Sequence, residues 1–141
     1  MKNEMPRAPG GQNVDLLKGV RVLIVEDAWH VAKALASVLE QIGMHVVGPT
    51  ATTAQAKNLA AAQRPELAIV DINLKQETSC GLIDELHEQG VRIIVISGYA
   101  TPPASKDSVA AFLQKPFSGS ELITTMSRVV ASTRLNGKPA D

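Results

Sequence analysis

Short apolar runs alternate with longer amphipathic segments along most of this chain. A continuous apolar run predicts a buried strand, and apolar residues three or four positions apart predict one face of a helix. On this basis we expect five strands, at residues 21–25, 45–48, 67–70, 91–96 and 110–113. The first helix between them ends at Gly43 and carries its apolar stripe at Val31, Leu35, Val38, Leu39 and Ile42.

Local start signals predict where the other helices begin. Thr52 or Thr53 is expected to cap a second helix over residues 54–63. Ser118 and Glu121 form a capping box at the start of the last helix. The buried faces follow from the apolar spacing: Leu82, Ile83 and Leu86 in a third helix closed by Gly90, and Leu122, Met126, Val129 and Val130 in the last.

Prolines and polar residues predict the interruptions. Pro49 is expected to end the second strand, and residues 74–80 are expected to form a polar loop. Pro102 and Pro103 lie within residues 99–107, so a fourth helix there must be short.

Strands that alternate with helices predict a parallel sheet with helices on both faces. Five strands fit a flavodoxin-like, doubly wound α/β domain with strand order 2-1-3-4-5. We expect this domain to span residues 19–135, after a flexible tail at 1–18 and before a frayed tail at 136–141.

Composition narrows the functional classes. The 141 residues suit one domain, and 14 basic residues balance 14 acidic ones, which argues against nucleic acid as a partner. The single cysteine, Cys80, excludes an internal disulfide. The apolar runs are too short to cross a membrane, and the N-terminal residues do not look like a secretory signal. We therefore expect a cytoplasmic protein.

Polar groups follow four of the predicted strands. Glu26 and Asp27 follow the first strand, Asp71 the third, Ser97 the fourth and Lys115 the fifth. The carboxyl ends of parallel strands meet at one edge of the sheet, where ligands bind. We therefore expect three carboxylates, a hydroxyl and an ammonium group to converge there.

This set of groups suits metal-assisted phosphoryl transfer. Asp71 could attack phosphorus to form an acyl phosphate, although taken alone it also suits a turn. Glu26, Asp27 and Asp71 offer the oxygen ligands that Mg²⁺ prefers, and the backbone carbonyl of Asn73 is a further candidate ligand. The metal would neutralise charge on the phosphoryl group.

Two further side chains complete the predicted site. We expect Lys115 to pair with Asp71 before phosphorylation and with the phosphoryl group afterwards. Pro116 favours a fixed turn after Lys115, where a cis peptide bond can occur. Ser97 offers its hydroxyl to a phosphoryl oxygen, whereas a serine in a simple loop is the alternative interpretation.

These elements resemble the receiver domain of bacterial two-component response regulators over residues 20–134. The motifs that carry the resemblance are the strand with Glu26-Asp27, Asp71-Ile72-Asn73, Ser97-Gly98 and Lys115-Pro116-Phe117. Phe112 falls where the family places its switch aromatic. Ser97-Gly98-Tyr99 is similar to the Thr-Gly-Tyr signature of a subgroup of stand-alone receivers, in which Tyr99 would share or take over that switch role.

The resemblance implies a reaction and a set of partners. A histidine kinase or histidine phosphotransfer protein would phosphorylate Asp71 with Mg²⁺, and the receiver would catalyse this transfer and its own dephosphorylation without being an enzyme towards other substrates. Phosphorylation would draw Ser97 inward, and the aromatic switch would follow and signal to a downstream protein. The resemblance leaves homodimerisation open.

Two segments depart from the family pattern. Residues 74–79 lack the proline usual after the phosphorylated aspartate, and the gap to Gly81 is longer than usual. The stretch from Ser97 to Lys115 is shorter than usual, so we expect a short fourth helix at the family's usual output face.

The sequence leaves one alternative open, and particular residues argue against three others. Residues 16–21 resemble the linker before the receiver of a hybrid histidine kinase, whereas Met1 favours a separate single-domain protein. A phosphatase of the haloacid dehalogenase type normally has a second aspartate where this chain has Asn73. A nucleotide- or flavin-binding module would need a glycine-rich phosphate loop, and none follows the first strand. A degenerate receiver, which serves only as a binding module, would lack part of the set formed by the three acids, Ser97 and Lys115, and this chain has the full set.

Overall fold

A computed structural model describes residues 14–75, 77–98 and 108–135, without the side chains of residues 133–135. Four expectations lie wholly or partly outside the described residues: the flexible tail over residues 1–13, a short fourth helix within 99–107, a switch role for Tyr99, and the frayed tail at 136–141. None of the described helices is both long and apolar enough to cross a membrane.

The described chain begins with a 3-10 helix at Val14–Leu17 and continues through seven strands and four α-helices. The strands are β1 (Arg21–Val25), β2 (His45–Thr50), β3 (Leu67–Asp71), β4 (Asn73–Leu74), β5 (Glu77–Thr78), β6 (Arg92–Ser97) and β7 (Ala111–Gln114). The helices are α1 (Trp29–Gln41), α2 (Thr53–Gln63), α3 (Cys80–Glu88) and α4 (Gly119–Leu135).

Five of the strands form a parallel sheet in the order β2-β1-β3-β6-β7. This is the predicted order 2-1-3-4-5. Along the chain, the short strands β4 and β5 come between the third and fourth strands of this sheet and form a separate two-stranded sheet. The register pairs Val25 with Val70, and Asp71 with Ile96. The carboxyl ends of β1, β3 and β6 therefore meet at one edge, as expected.

Helices cover both faces of the sheet, so side chains that alternate along each strand enter two separate cores. One core packs α1 and α4 against Val22, Ile24, Ile69, Ile94 and Ile96. The other packs α2 and α3 against Leu23, Val25, Ala68, Val70, Ile93 and Val95. All five residues of β3 are buried, which fixes this strand at the centre of the molecule.

The helix boundaries agree closely with the predicted signals. Thr52 Oγ1 accepts a 3.2 Å hydrogen bond from the Gln55 N–H at the start of α2. The Ser118–Glu121 capping box is confirmed, because each side chain accepts a hydrogen bond from the other residue's backbone N–H, at 2.8 and 3.0 Å. Gly43 follows α1 with φ +95°, a conformation that glycine adopts without steric cost.

Two predicted interruptions are wrong. Pro49 does not end β2, which continues to Thr50 after a cis Gly48–Pro49 bond. The strand tolerates Pro49 because β2 lies at the edge of the sheet, where the N–H that proline lacks is missing from one side of the hydrogen-bond ladder only. Residues 74–80 are not simply a loop, because Asn73–Leu74 and Glu77–Thr78 pair as an antiparallel hairpin.

The N-terminal boundary also differs from the expected one. A flexible tail through residue 18 is wrong for residues 14–18, because Leu17 is fully buried in the core beside α1 and α4. The Gly19 N–H donates a 2.8 Å hydrogen bond to the Gly43 carbonyl and fastens this segment to the end of α1. The folded unit therefore includes the 3-10 helix.

Candidate functional site

Three carboxylates lie together at the carboxyl edge of the sheet. Glu26 and Asp27 follow β1 directly, and Asp71 is the last residue of β3. Each offers an oxygen within 4.8 Å of the others. Glu26 and Asp71 are only 2% and 5% exposed, whereas Asp27 is half-buried. The sheet thus brings the three predicted carboxylates into one cluster.

Lys115 supplies the positive charge of this cluster. Its Nζ lies 3.0 Å from Glu26 Oε1 and 3.1 Å from Asp71 Oδ2. The sequence predicted the contact with Asp71 but not the one with Glu26. Partial burial acts to lower the pKa of Lys115, but the hydrogen bonds and charge attraction from Glu26 and Asp71 outweigh it and raise that pKa.

Glu26 is the most deeply buried acid of the site. Burial raises its pKa, although the hydrogen bond from the Ala28 N–H (3.0 Å) and the contact with Lys115 act in the opposite direction. Its Oε1 is buried and, among the described residues, accepts no hydrogen bond of good geometry, so the ion pair with Lys115 is its main compensation. Such an oxygen still has capacity for a cation.

The backbone after β3 holds the Asp71 carboxylate in place. The Asn73 N–H donates a 3.1 Å hydrogen bond to Asp71 Oδ1, while Lys115 contacts Oδ2. The Ser79 hydroxyl donates a 2.6 Å hydrogen bond to the Asp71 carbonyl. The orientation of Asp71 is therefore set from three sides. The proposed ligand role of the Asn73 carbonyl stays a prediction.

Sequence reasoning missed the groups that surround the acids. The Lys75 N–H donates a hydrogen bond to Asp27 Oδ2, and Ser79 is fully buried against Asp71. Ser79 precedes α3, a position typical of a helix cap, but its side chain makes no cap hydrogen bond there and donates to Asp71 instead. A backbone donor such as Lys75 leaves no signal in the residue type.

The predicted switch residues lie on the neighbouring strands. Ser97 is fully buried at the end of β6, and its carbonyl accepts a 2.7 Å hydrogen bond from the Lys115 N–H. Phe112 is half-buried on β7 and packs against the core beside α2 and α3. The Lys115–Pro116 peptide bond is cis. These positions leave the switch roles of Ser97 and Phe112 as predictions.

The donor set fits a small divalent cation. Three carboxylates face one ammonium group, so the cluster retains excess negative charge. All its side-chain donors are oxygens, the ligands that Mg²⁺ takes, and the buried Glu26 Oε1 still has bonding capacity. Glu26, Asp27 and Asp71 would hold the ion.

The sequence matches a family model described as the response regulator receiver domain over residues 22–127. It is 29% identical over 119 residues to the transcriptional regulatory protein PdtaR of Mycobacterium tuberculosis, which covers 81% of this chain and 58% of that protein. It is 25% identical to the chemotaxis protein CheY of Thermotoga maritima, covering 79% of this chain and 98% of CheY. The chain thus spans little more than half the length of PdtaR.

Solved structures show the same fold. The response regulator PhyR from Brucella abortus superposes with a TM-score of 0.75 at 21% identity, over 91% of this chain and 52% of PhyR. A CheY-like receiver domain protein from Methanospirillum hungatei gives a TM-score of 0.73 at 22% identity, over 84% of this chain and 99% of that protein. Since the family match covers most of the chain and the sheet order agrees with it, this protein belongs to the response regulator receiver domain family.

Proposed function

We propose that this receiver accepts a phosphoryl group on Asp71, with Mg²⁺ bound by the neighbouring acids. The observation that carries the proposal is the setting of Asp71 at a strand end, with one oxygen held by the Asn73 N–H and the other by Lys115. A carboxylate fixed in this way presents a defined oxygen to phosphorus, which favours an in-line approach.

The donor we propose is a phosphohistidine of a histidine kinase or of a phosphotransfer protein. An Asp71 oxygen attacks phosphorus, the bond between phosphorus and the imidazole nitrogen breaks, and the imidazole takes up a proton. The product is an acyl phosphate on Asp71. Water later cleaves the phosphorus–oxygen bond, which releases inorganic phosphate and regenerates the Asp71 carboxylate.

Each neighbouring side chain has a distinct role in this proposal. Glu26 and Asp27 hold the cation, which neutralises negative charge on the phosphoryl group. Lys115 moves its charge from the Asp71 carboxylate to the phosphoryl oxygens. Ser97 offers its hydroxyl to a phosphoryl oxygen, and Phe112 follows it and changes the surface beside β7.

We propose that the phosphorylated domain signals through contact with another protein. The match to CheY, which covers 98% of that chemotaxis protein, favours a receiver that acts by itself in this way. A receiver that takes part in the phosphorelay of a hybrid histidine kinase is the alternative, favoured by the lead-in at residues 16–21. The match to PdtaR, a transcriptional regulatory protein, keeps transcriptional output open for longer proteins that contain such a domain.

Intact-mass measurement tests the proposal. The protein is incubated with acetyl phosphate and Mg²⁺, and we expect the wild type to gain one phosphoryl group. Asp71→Asn should gain none, whereas Asp15→Asn, which alters an exposed acid far along the chain, should behave like the wild type. Equal labelling of the wild type and Asp71→Asn contradicts the assignment.

A further inference from the structure

The hairpin β4–β5 is anchored at two points that lie far apart in the sequence. At one end, the two oxygens of Glu77 accept hydrogen bonds from the Thr53 N–H at 2.9 Å and from Thr53 Oγ1 at 2.8 Å. Thr53 is the first residue of α2. Because free N–H groups at a helix start attract negative charge, a carboxylate that reaches two donors there is a favourable anchor.

The other anchor lies in the acidic cluster. The Lys75 N–H, in the turn between β4 and β5, donates to Asp27 Oδ2. Leu74 beside it is only 6% exposed and packs in the core of α2 and α3. The same short hairpin therefore contacts the helix start through Glu77 and the acidic cluster through Lys75.

This contact matters because Asp27 has the least support of the three acids. Burial and the contact with Lys115 restrain Glu26 and Asp71, whereas Asp27 is half-buried. A hydrogen bond to one carboxylate oxygen restricts rotation of the group and leaves the other oxygen for a ligand. Partners that orient a metal ligand in this way contribute to metal affinity although they do not touch the ion.

We propose that Glu77 is a positioning residue for the divalent-cation site. By fastening the hairpin to Thr53, it keeps the Lys75 N–H against Asp27 Oδ2 and so fixes the Asp27 carboxylate for the ion. This inference rests on the proposed function, since it assumes that Asp27 is a metal ligand. It assigns a role to the segment after Asp71 that departs from the family pattern.

Backbone amide NMR on the full chain tests this inference with two readouts. The first is the hydrogen-exchange rate of the Lys75 amide without metal, and the second is the Mg²⁺ affinity from a chemical-shift titration. We compare the wild type with Glu77→Ala and Thr53→Val, both of which weaken the anchor. The controls are Glu88→Ala, at an exposed position at the end of α3, and Thr53→Ser, which keeps the hydroxyl donor.

In Glu77→Ala we expect the Lys75 amide hydrogen to exchange faster than in the wild type. We also expect Mg²⁺ to bind roughly tenfold more weakly, the lower end of the loss in affinity seen when a residue that orients a metal ligand is removed. Thr53→Val should change both in the same direction, while Glu88→Ala and Thr53→Ser should match the wild type. Combining Glu77→Ala with Thr53→Val should weaken binding no further than Glu77→Ala alone.

The contradicting results are separable. If the wild type binds Mg²⁺ and Glu77→Ala binds it equally well, the inference is wrong and the proposed function stands. If the wild type binds no Mg²⁺, the cation site fails and the inference falls with it. A lower melting temperature in Glu77→Ala with unchanged Lys75 exchange and unchanged affinity assigns Glu77 a structural role only, which also overturns the inference.

Discussion

The Lys115 ammonium group lies 3.1 Å from Asp71 Oδ2. Asp71 ends β3 and Lys115 follows β7, and β6 lies between these two strands in the sheet. The ammonium group reaches Asp71 across the end of β6, where the Lys115 N–H is bonded to the Ser97 carbonyl. The same ammonium group lies 3.0 Å from Glu26. One cation therefore compensates two buried carboxylates, and its removal should affect both.

Lys115→Met should lower the free energy of unfolding by about 2 kcal/mol without metal, because it leaves two buried carboxylates without a counter-charge; partial exposure of Lys115 reduces the cost. Mg²⁺ should restore most of this stability, since an ion that binds only the folded state stabilises it. Urea unfolding with and without Mg²⁺ measures both. Lys18→Met, an exposed control, should have little effect. A variant that does not fold even with Mg²⁺ would make Lys115 a structural residue.

Glu26 should cost stability while serving the cation. Burial raises its pKa, so its contribution to stability is present below the unfolded value of about 4.5 and is lost as the pH rises through the folded value. Glu26→Gln should therefore raise the metal-free free energy of unfolding at neutral pH by about 1 kcal/mol and weaken Mg²⁺ binding. Urea unfolding and Mg²⁺ titration test this against Glu40→Gln on the exposed face of α1. A less stable Glu26→Gln would mean that the Lys115 contact outweighs burial.

The raised pKa of Lys115 predicts a loss of stability in alkali. Its contribution is fully present below the unfolded value of about 10.5 and is lost as the pH rises through the higher folded value. Above about pH 10.5 the wild type should therefore lose more stability than Lys115→Met does. Subtracting the stability of the variant from that of the wild type at each pH removes the effect of the other lysines. Thermal melting across this range measures it. Parallel curves would contradict the prediction.

Leu17→Ala tests whether the 3-10 helix belongs to the folded domain. Leu17 is fully buried, so the truncation should cost about 3 kcal/mol of unfolding free energy. Val14→Ala in the same helix is the matched control, because Val14 is 38% exposed and should change stability little. Urea unfolding of both variants is the measurement. Equal stability of Leu17→Ala and the wild type would mean that the 3-10 helix is not part of the folded domain.

The sequence predicted the sheet and its acidic edge because both depend on patterns that the chain displays directly. Apolar runs mark β1, β3 and β6, and the residue after each run is a polar residue of the site: Glu26, Asp71 and Ser97. The capping box at Ser118 and Glu121 was equally legible, since it depends on two side chains at a fixed spacing.

The errors occurred where backbone contacts or tertiary packing decide the structure. Pro49 stays within β2 because the strand lies at an edge, a fact of topology rather than of local sequence. Leu17 lies in a short segment without a helical or strand period, and it is buried because the core shared with α1 and α4 includes it. The hairpin of β4 and β5 contacts Asp27 through the Lys75 N–H and the start of α2 through Glu77, and no periodicity predicts either contact.

The most direct test of the central claim is the position of the phosphoryl group. Borohydride reduces an acyl phosphate of aspartate to homoserine, so peptide mapping by mass spectrometry after labelling with acetyl phosphate and Mg²⁺ locates the modified carboxylate. Our account predicts homoserine at position 71 and at no other acid. Homoserine at position 27, or a phosphoryl group that resists borohydride and maps to Ser97, would contradict it.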